Sequence, residues 1–279
     1  MLKKCLKYDL NANFRIFVIL AVIVLSTSVA GGVGNYLIES TNFNALLGIL
    51  GFFLFYPAVL TISVFPAVML IMIGVRCYSN FYTDQGYLTF TLPVSRTTHL
   101  HSKLLSSAIY FGGAILTSGV GLTVMMSVFS FLSKTDPYHE TIEFLRLLFE
   151  DVRYDAGFSI IILIELAFIA LLLFVTVILW MHFCVVFGST IARRVKLLAI
   201  ILTAYISGII AVYALYFEVF ISIFTFVDVE TALIDTFTPT EMSWSVIMAL
   251  GIVIAALATV SALFYRYAKT KLERSLNLS

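Results

Sequence analysis

Residues able to do chemistry are scarce in this sequence, and their spacing removes several reaction classes. Four histidines occur, at His99, His101, His139 and His182. His99 and His101 are two positions apart, which puts them on different faces of a helix and argues against a metal pair. His182, close to Trp180 near the inner end of an apolar run, reads as an interfacial anchor. No Gly-x-x-x-x-Gly-Lys-Ser/Thr loop is present to cradle nucleotide phosphates, and neither a His-Glu-x-x-His zinc motif nor a Gly-x-Ser-x-Gly elbow occurs. Cys5, Cys77 and Cys184 are odd in number and lack ligand spacing, so they read as reduced thiols packed as small hydrophobes.

Two acids stand inside apolar runs. Glu165 lies about eight residues into its run, roughly 12 Å deep at 1.5 Å rise per residue. An ionised carboxylate is costly at that depth, so Glu165 must face protein or a water-filled cavity, pair, or stay protonated. Two roles remain open for it: substrate contact or proton handling, and a structural hydrogen bond to a neighbouring helix. Glu218 sits near the outer end of another run and can reach the interface. An intramembrane enzyme using Glu165 with His182 is disfavoured, because seventeen residues on one helix separate them by about 25 Å.

The elements that position these residues follow from composition. The chain has 279 residues, of which 61% are hydrophobic and 12% charged, with a net charge of +1. Soluble domains are about 45–50% apolar and about 25% charged, so most of this chain is solvated by lipid. A membrane core of about 30 Å needs about 20 apolar residues as helix. Six stretches qualify, 16–36, 46–73, 105–132, 157–186, 197–226 and 244–265. The second contains Pro57 and Pro66, and its freed carbonyls are expected to find donors on neighbouring spans.

Charge sets the orientation. Lys3, Lys4, Lys7 and Arg15 precede the first span, while Arg76, Arg96 and Lys103 lie between the second and third. Arg193, Arg194 and Lys196 separate the fourth and fifth, and Arg266, Lys269, Lys271 and Arg274 follow the sixth. The alternate loops carry no Lys or Arg except Lys134, Arg146 and Arg153, and they are rich in acids. Both termini are therefore expected in the cytoplasm. The basic start and the Ser28-Val29-Ala30 triplet also suit a cleaved signal peptide. Against that, residues 1–15 read as an amphipathic helix, with Leu2, Leu6 and Leu10 on one face and Lys3, Lys4 and Lys7 toward water, so the first span is expected to be retained.

Small residues suggest how the spans pack. Gly251, Ala255, Ala258 and Ala262 form a stripe on the sixth span, Gly113, Thr117 and Gly121 on the third, and Ser26, Ala30 and Gly34 on the first. The stripe on the sixth is expected to be a seam within the chain. Residues 136–155 begin with Asp136-Pro137 and repeat apolar residues at helical spacing, which predicts a short amphipathic helix on the outer surface.

The largest polar interruption on the inner side is "DQGYLTFTLPVSR", residues 84–96. Gly86 offers a turn, Pro93 ends regular hydrogen bonding, and Ser95 can cap the helix that begins at Arg96. The expected arrangement is a short helix around 77–85, an extended link, then the third span.

At these residues the chain resembles the permease subunits of type-2 ATP-binding-cassette exporters. The match reads Asp84, Gly86, Leu88, Pro93, Ser95, Arg96 and, further on, Lys103. The stretch "YTDQGYLTFTLPVSR" is similar to that of small bacterial permeases near peptide-antibiotic transport systems, and chain length, six-span topology and amphipathic start agree. Two departures stand out: Asp84 occupies a position where Glu is commoner, and the connection between spans three and four is long.

The resemblance implies an all-α integral membrane protein forming a single permease domain over residues 1–279 of the cell membrane. It implies no catalytic residues and no metal, no cofactor bound by this chain, and ATP with Mg held by a separate ATPase subunit. Implied partners are that ATPase, a second permease subunit in a homo- or heterodimer, and membrane lipids, with no nucleic acid. Cys77, Tyr82, Asp84, Gln85 and Gly86 are the expected ATPase-coupling residues, and Pro93, Ser95 and Arg96 the loop anchor. A re-entrant hairpin before the last span is implied as well, within "YFEVFISIFTFVDVETALIDTFTPTEMSW". The competing reading is a membrane-embedded assembly or sensor protein without transport.

Overall fold

The structure, a computed structural model, describes residues 2–40, 45–83, 95–134, 156–191, 200–209 and 239–274. The described residues fold into α1 (Leu2–Ser40), α2 (Ala45–Tyr82), α3 (Arg96–Ser133), α4 (Ala156–Ile191), α5 (Ile200–Ile209) and α6 (Pro239–Arg274), with no strand among them. All except α5 contain a stretch long and apolar enough to cross a membrane. By length and composition this is a helical, multi-pass membrane protein. Of the expected fifth span, 197–226, only α5 is described. The outer amphipathic helix over 136–155 and the hairpin residues up to 238 lie outside the described residues.

Two boundaries differ from the sequence reading. The amphipathic start is not a separate helix, because α1 runs unbroken from Leu2 to Ser40. No glycine or proline interrupts residues 2–30, so nothing halts hydrogen bonding at the edge of the apolar run. Residues 77–82, likewise, are not a separate short helix but the last turns of α2. Helix α6 opens on Pro239, where a missing N–H belongs to an unpaired first turn, and continues through the basic residues to Arg274.

The chain divides into two compact units. The first holds α1, α2 as far as Ser79, and α3. Its core joins Val24, Ile62, Phe65, Met69, Ile73, Tyr110, Ala114 and Met125, with Phe17 packed against Phe65 and Tyr110. Glycines let the backbones come close enough for this. A Cβ on Gly34 would lie 2.7 Å from Phe55 N and 2.8 Å from the Gly51 carbonyl oxygen, and one on Gly32 would lie 2.6 Å from the Met125 carbonyl oxygen. The α1 seam is thus Ser28, Gly31, Gly32 and Gly34, all buried. Of the expected trio only Gly34 belongs to it, since Ser26 is exposed and Ala30 half-buried.

Hydroxyls complete the first unit. Thr27 and Thr61 share a 2.8 Å hydrogen bond between α1 and α2. Helix α2 continues through both of its prolines. Pro66 has no N–H for the carbonyl four residues before it, that of Ile62. Ser118 Oγ of α3 donates to that carbonyl at 2.9 Å. The expectation that a neighbouring span would supply the missing donor holds at this proline.

The second unit holds residues 80–83, α4, α5 and α6. Its core lies in the second half of α4, where Ile178, Leu179, His182, Cys184, Val185, Val186 and Ser189 are buried. Gly188 admits α5 closely, because a Cβ there would meet Ile200 Cα at 2.6 Å. Trp180 Nε1 donates to Ser207 Oγ at 2.9 Å, and Thr176 and Ser261 share a 2.7 Å hydrogen bond. Phe183 stacks on Phe187 and Phe264 and meets Tyr267 edge-on.

Two sequence expectations fail in this unit. His182 is 2% exposed, its Nδ1 hydrogen-bonded to the Ile178 carbonyl, so it is a core residue and not an interfacial anchor. The α6 face that packs carries Ser261 and Ala268, both buried, whereas Ala255, Ala258 and Ala262 are exposed and Gly251 has nothing near its Cβ position. The small-residue stripe is therefore not a seam with the described residues. The face that packs against α4 carries the Phe183–Phe264 stack instead.

Candidate functional site

The site is built at the base of the polar loop, where α3 begins. Ser95 caps α3: its backbone is extended at φ −62°, ψ 143°, and its Oγ accepts from the Thr98 N–H at 3.3 Å. Its carbonyl also accepts from the N–H groups of Thr98 and His99 at 3.0 and 3.3 Å, while its hydroxyl contacts those of Thr97 and Thr98. The cap role read from sequence is what the structure has. Arg96 is the first residue of α3. Asp84, Gln85, Gly86 and Pro93 lie outside the described residues.

Two turns into α3 stands a cluster that the sequence reading did not single out. Lys103 Nζ pairs with Asp9 Oδ1, and Ser102 Oγ donates to Asp9 Oδ2 at 2.7 Å. Asp9 is 8% exposed and Ser102 fully buried. Both carboxylate oxygens are thereby occupied, which is the condition for a buried charge to be tolerated. Two helical turns further on, the Tyr110 hydroxyl donates to the Leu10 carbonyl. Three side chains from α3 thus hold consecutive residues of α1. Beside them His99 is 5% exposed, and its Nε2 has no hydrogen-bond partner among the described residues.

One sequence signal could have found this cluster. Asp9 is the only acid before Glu39, and it sits in the otherwise apolar line of the amphipathic start. An acid on the buried side of such a helix needs a cation opposite, and Lys103 was already part of the loop motif.

The remaining named residues are more scattered. Cys77 is 2% exposed, so its thiol is a packing group and not a surface one. Tyr82 is half-buried and ends α2. Glu165 is half-buried in the first half of α4, where its neighbours Leu163, Ile164, Leu166 and Phe168 are exposed. Its Oε2 is shielded and lacks a hydrogen-bond partner among the described residues. Glu165 belongs to the second unit, whereas the α1–α3 cluster belongs to the first. Among the described residues no group of three His, Cys, Asp or Glu side chains could hold a metal ion.

Comparison with family models, curated proteins and solved structures finds no match for this chain.

Proposed function

We propose that this chain is the transmembrane subunit of an ATP-driven exporter, forming the path and taking its motion from a separate ATPase subunit. In this reading it has six spans, cytoplasmic termini and a second permease subunit as partner in the cell membrane. The loop over 84–96 receives the force. The observation that carries the reading is the way this loop is anchored: Ser95 caps α3 directly after the loop, and two turns later Lys103 and Ser102 hold Asp9 of α1. A push on the loop base would then move α3 and α1 together, because a capped helix tied by a buried ion pair resists bending at that point.

Alanine at Tyr82 and Asp84 together tests the assignment. The doubly changed chain is expected to insert normally but to lose co-purification with an ATPase encoded beside it, together with ATP-driven transport. Unchanged partner binding and transport at normal expression would sink the proposal.

A further inference from the structure

The groove along the first turns of α1 shares with the site above only Leu10, whose backbone carbonyl Tyr110 holds. Lys3, Leu6, Lys7, Leu10, Asn11 and Phe14 line it, with a cavity volume of about 270 Å³. Lys3, Lys7 and Asn11 are exposed, Leu6 and Leu10 half-buried, and Phe14 is 60% exposed. Successive helical residues turn by about 100°, so Lys3, Phe14 and Lys7 fall within about 40° of one another while Asp9 stands at least about 120° away. The tie between Asp9 and Lys103, with the Tyr110 bond to the Leu10 carbonyl, fixes the rotation of α1 so that this basic face points away from α3.

Both lysines are available for an anion. Asp9 is the only acid before Glu39, and its oxygens are taken by Lys103 and Ser102. Among the described residues neither Lys3 nor Lys7 forms an ion pair. Below the charges the groove is apolar, through Leu6, Leu10 and Phe14. Its place along the membrane is informative too. The 39 residues of α1 span about 58 Å, against about 40–45 Å for a bilayer with its headgroups. Phe14 adjoins the start of the apolar run at residue 16, and Lys7 precedes that start by about 13 Å.

We propose that this groove binds one anionic phospholipid, with the Lys3 and Lys7 ammonium groups on its phosphate and the first acyl methylenes along Leu6, Leu10 and Phe14. The charge sign selects an anion, and the apolar floor selects one that carries a hydrocarbon chain. At about 270 Å³ the cleft lies just under the roughly 300 Å³ at which small-molecule pockets start, which gives room for a phosphate headgroup. The proposal rests on membrane embedding alone, and a chain without an ATPase partner can still pass its test.

Native mass spectrometry of the full-length protein, titrated with phosphatidylglycerol or phosphatidylcholine, reads the site directly. Each of the two lysines seated on the lipid phosphate is expected to contribute about fivefold to its affinity, so K3Q/K7Q should bind phosphatidylglycerol roughly thirtyfold more weakly. The variant K4Q/K269Q removes the same charge outside the groove and should keep wild-type affinity. Phe14→Ser should weaken lipid binding, and millimolar inorganic phosphate should not displace the lipid. An equal loss in K4Q/K269Q would reduce the site to diffuse charge attraction and overturn the proposal. Equal affinity for phosphatidylcholine, or displacement by free phosphate, would overturn it as well.

Discussion

Changing Lys103 to methionine should destabilise the first unit more than removing the whole Asp9–Lys103 pair. In Lys103→Met, the Asp9 carboxyl remains nine-tenths buried without its cation, with Ser102 as its remaining donor. Breaking a buried pair by one partner costs about 3–5 kcal/mol. Here the two side chains are 13% and 10% exposed, which places the cost near the lower end, about 3 kcal/mol. Asp9→Asn should be milder, because the amide oxygen can still accept from Ser102 and the long Lys103 chain can turn its ammonium to water. The double change Asp9→Leu with Lys103→Met leaves no buried charge and should lie within about 1 kcal/mol of wild type.

Thermal unfolding of the full-length protein in detergent, followed by circular dichroism, measures the series. At about 2–4 °C per kcal/mol, Lys103→Met should lower the midpoint by roughly 6–12 °C. The double variant should recover most of that loss. Raising salt to 0.5 M should change little, since a buried pair is poorly screened. If Lys103→Met is no worse than the double variant, the pair does not hold α1 to α3, and the anchoring argument fails with it.

Two contrasts extend the test to other positions. Gly34→Ala should destabilise by about 1–3 kcal/mol, because its Cβ would sit 2.7 Å from Phe55 N; Gly119→Ala, with nothing within 4 Å, should instead stabilise by up to about 1 kcal/mol, and the same melting curves read both. At Glu165, activity that survives Gln but fails with Leu assigns the side chain to hydrogen bonding; full transport activity with Leu would show that the shielded Oε2 has no role.

Much of the helical order was legible, because apolar run length is a direct consequence of membrane thickness. The Ser95 cap was legible too, since an Ser-Arg-Thr-Thr start after Pro93 leaves few other roles for that hydroxyl. Helix ends inside water were less so. Nothing in residues 72–82 or 2–15 marks where a span stops and an extramembrane helix begins, and the structure simply continues each helix. Side-chain choice between faces was hardest. On α6 the Gly251–Ala262 stripe and the Ser261–Phe264–Ala268 face are both plausible seams by spacing, and only the aromatic partners on α4 decide between them. The Asp9–Lys103 pair joins residues 94 positions apart, so the lone acid of the amphipathic start signals the need for a cation without naming its partner.

The hydrogen bond from Ser118 to the Ile62 carbonyl has an evolutionary consequence. Ser118 is useful to that carbonyl only because Pro66 cannot supply an N–H. A lineage that replaced Pro66 with an ordinary residue would close the α2 ladder internally, and position 118 would then be free to drift toward alanine or glycine. The reverse order, losing Ser118 first, would strand a carbonyl among buried apolar side chains. Substitutions at these two positions should therefore be directional in descent, with the change at 66 preceding the change at 118.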